Sequence, residues 1–186
     1  MVYKYDFLPA LGRGQQGLPV KGLMTFQYWI DNVTPYDGID FKEIRYDVGF
    51  ATIDTSVLPD TLKKPAEYYG AHGFGHSSLT DFEARIVGYP SNPGDTEIPQ
   101  SCVATAKKDT HFELTTGFYD LLKADCNVSN AKGASGGPWL QLYDASTGVG
   151  WLNGVSSAES DDGYLYSAVF NDRIYSLYTD AVNSGM

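Results

Sequence analysis

Cysteine is scarce in this chain: there are two, Cys102 and Cys126, in 186 residues. They stand 24 positions apart, with no C-x-x-C spacing and no Cys/His cluster, which argues against a structural zinc and reads as one disulfide. A disulfide in turn points to an oxidising compartment. Charge is thin as well, at 19% of residues, and 13 Lys and Arg are outweighed by 23 Asp and Glu for a net charge of -10. So few and scattered basic residues make no face for a phosphate backbone, and nucleic acid is not an expected partner. No run of about 18 apolar residues exists to span a membrane. The opening MVYKYDFLPALGRGQQG has neither a charged n-region nor an apolar h-region, so it does not read as a signal peptide. No motif asks for a cofactor. Asp161 and Asp162 read as a solvated acidic turn rather than a calcium site, and no metal is expected.

Helical periodicity is also rare. What the chain has in quantity is Gly (20), Tyr (14) and short β-prone runs: residues 23–30, 46–53, 84–89, 112–117, 139–143, 150–155 and 164–170, each bounded by Gly, Pro, Asn, Asp or Ser. One helix is expected, at the end, where Ile174, Leu177, Tyr178 and Ala181 recur at helical spacing behind Asn171 or Asp172 as N-cap. Pro59, Pro65, Gly70, Gly73 and Gly75 cluster between Leu58 and Thr80 and suggest a boundary there. The composition therefore predicts an all-β protein of two lobes closed by a helix. Asn32-Val33-Thr34 and Asn127-Val128-Ser129 match the glycosylation sequon, a pattern common by chance.

The stretch Gly133-Ala134-Ser135-Gly136-Gly137-Pro138 allows two readings. A Gly- and Ser-rich hexamer serves as a hairpin turn, but it also suits the presentation of a nucleophilic serine. Glycines after Ser135 let the chain turn sharply and a substrate approach, while the N–H groups of Gly133 and Ser135 can converge on a developing oxyanion. Asp47, among Val48, Phe50 and Ile53, reads as a polar residue at a strand end or as a partly buried carboxylate in need of a partner.

Cys126 to Leu140, then Trp151-Leu152-Asn153-Gly154-Val155-Ser156-Ser157, then Tyr164 to Phe170 and the terminal helix resemble the C-terminal barrel of trypsin-like serine peptidases. The nearest likeness is to the secreted bacterial and fungal branch that includes glutamyl endopeptidases, whose Gly-Tyr-Pro is matched by Gly88-Tyr89-Pro90. Tyr46-Asp47-Val48-Gly49-Phe50-Ala51 resembles the strand that carries that family's aspartate. The resemblance implies two antiparallel β-barrels, with residues 1–70 forming a partial first barrel, 71–170 the second, and 171–186 a helix packed on them. It implies Ser135 as nucleophile, Asp47 as the carboxylate that orients an imidazolium, and the amides of Gly133 and Ser135 as oxyanion hole. Ser156 and Ser157 would open the edge strand along which a peptide substrate lies, and Ser129 and Asn130 would line its pocket. Secretion is implied too. Two positions depart from the family. Ala134 stands where many relatives carry an Asp that receives a freed amine, and Val155 stands where glutamate-specific members carry a His.

The family order is His, Asp, Ser, and here the sequence fails it. Its three histidines, His72, His76 and His111, all follow Asp47. His72 and His76 are four apart, yet Gly73 and Gly75 disfavour the helix a metal pair would need. His111 reads as the start of a strand. The expectation is therefore that polypeptide of roughly 50 residues or more, from ordinary domain size, precedes Met1 and carries the opening strands and the general base. A small complementing chain, or a peptidase-like binder without catalysis, are the alternatives.

Overall fold

The computed structural model describes residues 6–7, 18–33, 40–76, 80–89, 99–126 and 133–184. Two sheets account for most of them. The smaller holds β1 (Asp6–Phe7), β2 (Leu18–Thr25) and β3 (Gly49–Ile53), antiparallel and in that order. The larger is built from β4 (Gly73–Phe74), β5 (Asp81–Gly88), β6 (Gln100–Glu113), β7 (Gly117–Asp125), β8 (Pro138–Asp144), β9 (Val149–Val155), β10 (Ala158–Glu159) and β11 (Tyr164–Ala168). Its strand order is β10-β11-β7-β6-β5-β8-β9-β4, all antiparallel except the short β4–β9 pair. Neither sheet closes on itself among the described residues. Among the described residues four α-helices accompany them: α1 (Gln27–Asn32), α2 (Phe41–Ile44), α3 (Pro65–Tyr69) and α4 (Asp172–Asn183). The chain is thus mostly β with a terminal helix, as its composition predicts.

Alternation of side chains sets the large sheet's inner face. Along β5, Phe82, Ala84 and Ile86 are buried while Asp81 and Glu83 face out, the period of two that a half-buried strand requires. They meet Leu122, Ala124, Leu165 and the fully buried Trp139 in one cluster, which also takes in Cys126 and Ala134. Each large apolar side chain so buried contributes about 1.5–3 kcal/mol. Cys102 and Cys126 are joined in a disulfide, which ties β6 to the segment leading toward Ser135.

A second cluster seats the small sheet on the large one. Val48, Ala168, Phe170 and Ile174 are buried together, with Phe26, Phe50 and Phe74 packed against them. The α4 helix joins here because Ile174, Leu177 and Ala181 lie on one face and are buried. Its N-terminus is capped by Asn171, whose Oδ1 accepts the N–H groups of Arg173 at 3.1 Å and Ile174 at 3.4 Å.

Three local expectations are corrected. Residues 23–30 are not one strand: β2 ends at Thr25, and Phe26, Trp29 and Ile30 sit on α1 or cap it. Their i, i+3, i+4 spacing prevails over the β-preference of Trp and Ile. Residues 46–53 begin as the exit of α2, and only Gly49–Ile53 is strand. Residues 112–117 straddle a hairpin turn at 114–116, where Thr116 Oγ1 donates to Glu113 Oε2 at 2.9 Å. His111 therefore lies near the end of a strand that started at Gln100, not at its beginning.

Candidate active site

The turn before β8 is pinned by its own backbone. Gly137 N–H donates to Ala134 C=O at 2.9 Å, and Gly136 N–H donates to Ser156 C=O at 2.7 Å. Ser156 N–H returns a bond to Gly137 C=O at 2.9 Å. Gly133 has φ +94°, a left-handed conformation that a side chain would strain. Gly137 is needed for a different reason: a Cβ there would lie 2.1 Å from Val87 O. The turn thus presses against the end of β5, with Ala134 buried beneath it and Ser135 exposed on top. Neither the hydroxyl nor the N–H of Ser135 bonds a described residue.

Asp47 reaches the same region from the other lobe. The α2 helix delivers it: Asp40 N–H donates to Glu43 Oε2 at 2.9 Å, Ile44 is buried against Leu121 and Tyr166, and Asp47 N–H closes the turn on Ile44 C=O at 3.1 Å. Its carboxylate Oδ2 accepts the Ser157 hydroxyl at 2.6 Å, a contact between residues 110 positions apart. Burial pushes the Asp47 carboxyl above its ordinary range, and the Ser157 hydrogen bond opposes this in part. Ser157 is its sole side-chain partner among the described residues.

Ser156 and Ser157, adjacent in sequence, therefore face different tasks. Ser156 is buried, its Oγ accepts Trp139 Nε1–H at 3.0 Å, and its main chain clamps the Ser135 turn. Ser157 holds Asp47, and its N–H donates to Tyr166 C=O at 2.9 Å. The strand they precede, β10, is an edge of the large sheet among the described residues. One chain of contacts therefore links the turn of Ser135, through Ser156 and Ser157, to the carboxylate of Asp47. Ser129 and Asn130, expected in the pocket, lie outside the described residues.

None of the three histidines completes this line. His76 stacks on Tyr175 at 3.8 Å between ring centroids. His111 lies between the rings of Phe41 and Tyr119, and its Nε2 is 3.1 Å from Asp109 Oδ2. His72 is exposed in the segment before β4. Among the described residues, none bonds Asp47 or Ser135, and no group of three metal-ligating side chains is present. No helix there is long and apolar enough to cross a membrane.

Sequence signals existed for most of this. Ser135 and Asp47 are visible in their local patterns, and Asp40 with Glu43 three positions on is a helix-start signature. The Ser157–Asp47 bond left no trace, because it joins residues from different lobes.

No protein-family model matches the sequence, and no curated protein matches it. Solved structures do. The fold is shared with the crystal structure of protease Anisep from Arthrobacter nicotinovorans, at 22% identity and TM-score 0.64, over 88% of this chain and 66% of that one. It is shared as well with the thermostable serine protease AL20 from an extremophilic microorganism, at 16% identity and TM-score 0.65, over 89% of this chain and 68% of that one. The chain spans about two thirds of the length of each. The chain therefore shares the fold of these two proteases, mostly β with a C-terminal helix, as the resemblance led one to expect.

Proposed function

We propose that this chain carries the acyl-transfer half of a serine endopeptidase, with Ser135 as nucleophile and Asp47 as the carboxylate that orients and stabilises an imidazolium. The observation that carries this reading is the Ser157–Asp47 hydrogen bond, which fixes a half-buried carboxylate in the neighbourhood of an exposed, unbonded serine. Asp47 has a second carboxylate oxygen without a partner among the described residues, which suits a ring N–H arriving from elsewhere. In the proposed cycle Ser135 Oγ attacks the scissile carbonyl as the imidazole takes its proton. The N–H groups of Gly133 and Ser135 bind the oxyanion, the amine leaves with the proton, and water then releases the acyl group.

The base is not His72, His76 or His111, whose rings are committed elsewhere or make no contact with the site. A serine without a base is a weak nucleophile, so the 186-residue chain alone is nearly inert. Incubation with a fluorophosphonate and mass spectrometry of the adduct tests this. Slow labelling, no faster than that of free serine, is expected. Fast labelling at Ser135 would show that a base is already present.

The fold class, the disulfide and the protease neighbours support an extracellular peptidase acting on peptide substrates. A binding protein that keeps the groove without the chemistry is the second reading, favoured by the absence of a histidine at Asp47. Binding alone gives no reason for an exposed Ser135 whose hydroxyl and N–H bond no described residue.

A further inference from the structure

The edge strand β10 borders a cavity of about 420 Å³ that the reaction above does not use. Its apolar lining is Phe41 and Ile44 from α2 and Ala158 from β10. Ile44 is fully buried, and Phe41 packs edge-on against Tyr166 at 4.8 Å, so both are held in place. The rim is acidic, formed by Glu159, Asp161 and Asp162, all exposed. Of the nearby cations, one is engaged away from the rim and one lies beside Asp162. Lys42 bridges Asp40 and Glu113, and Lys123 lies over the Tyr164 ring at 4.1 Å, close enough to interact with Asp162. Asp162 also accepts the Ser160 hydroxyl. Glu159 and Asp161 make no ion pair among the described residues.

An edge strand offers its free backbone groups to an extended peptide. Because the main chain of Ser156, just before β10, clamps the Ser135 turn, a peptide laid antiparallel on β10 would run, amino to carboxyl, from beside Glu159 back toward that turn. Successive residues advance about 3.3 Å and alternate sides, so side chains about two to four residues before the scissile bond turn toward this cavity.

We propose that the cavity beside β10 selects a substrate residue with an apolar stem and a cationic head, lysine or arginine, on the amino-terminal side of the cleaved bond. The methylene stem packs on Phe41, Ile44 and Ala158, and the charged end reaches Glu159 and Asp161. This mode of burial is characteristic of long basic side chains. A protein of net charge -10 also draws cationic segments toward it. The direction of the peptide rests on the reading of Ser135 and Asp47 given above; the charge selection is measured separately.

The experiment is fluorescence anisotropy on the 186-residue chain at low salt, with short fluorescein-labelled peptides that differ only in carrying lysine, leucine or glutamate at those positions. Lysine peptides are expected to bind about three- to tenfold tighter than glutamate peptides, the scale of one or two exposed charge pairs. The preference should vanish in Glu159→Gln/Asp161→Asn and survive in Ser135→Ala. Equal affinities, a preference that survives the double substitution, or no peptide binding at all would each overturn the proposal. Fast acylation of Ser135 by an activated ester in the presence of imidazole, without charge discrimination, would leave the acyl-transfer reading standing and end this one. Charge-dependent binding with an unreactive Ser135 would do the reverse.

Discussion

On Asp47 two effects compete: burial disfavours its charge, while one hydroxyl, that of Ser157, partly offsets the cost. A carboxyl raised in the folded state holds its proton more tightly there than in the unfolded chain. Its contribution to stability is full below the ordinary carboxylate range and is lost as pH rises through the raised value. Asp47→Asn keeps an oxygen to accept the Ser157 hydroxyl and never ionises, so it should melt higher than the parent at neutral pH and no higher in acid. Thermal denaturation at both pH values checks this, and a variant that melts lower at neutral pH would show that the charge is stabilised by more than Ser157. Gly137→Ala is expected to do the opposite. Its Cβ meets the Val87 carbonyl, and forcing the turn off β5 should cost about 1–3 kcal/mol, as overpacking does, read as a lower denaturation midpoint.

Elements decide how those residues meet. The Ser135 turn is held from below by Ala134 in the main cluster and from the side by Ser156, and the Cys102–Cys126 disulfide anchors the segment that leads to it. Closing a loop of 24-residue separation stabilises by about 3 kcal/mol on chain-entropy grounds. Cys102→Ser/Cys126→Ser should accordingly lower Tm by roughly 6–12 °C for a chain of this size, with scanning calorimetry as the check. Strands such as β5, β8, β9 and β11 were legible because alternation and bounding turn residues coincide in them. Helix α1 was hidden because it is short and built around Tyr, Trp and Ile, residues whose local preference is for strands, and α2, a single turn, showed only the Asp40/Glu43 start signal. Most of β6 was hidden for the opposite reason. Gln100 to Thr110 is polar and half-exposed, and it is strand because β5 and β7 pair with it on either side. Pairing of that kind is a property of the neighbours, which no window of the sequence displays.

Across the whole molecule, two lobes converge on one line of contacts, and the sequence foretold its ends better than its middle. Ser135 and Asp47 stood out in local patterns. The Ser157 hydroxyl that holds Asp47, and the cavity lined by Phe41 and Ile44 on one side and Ala158 and Glu159 on the other, arise only when distant segments pack. If Ser135 and Asp47 act as proposed, the arrangement needs only an imidazole for acyl transfer. Imidazole added to solution tests it most directly. The rate of fluorophosphonate labelling at Ser135 should climb with the concentration of neutral imidazole, remain absent in Ser135→Ala, and fall in Asp47→Ala. A labelling rate indifferent to imidazole would contradict the account.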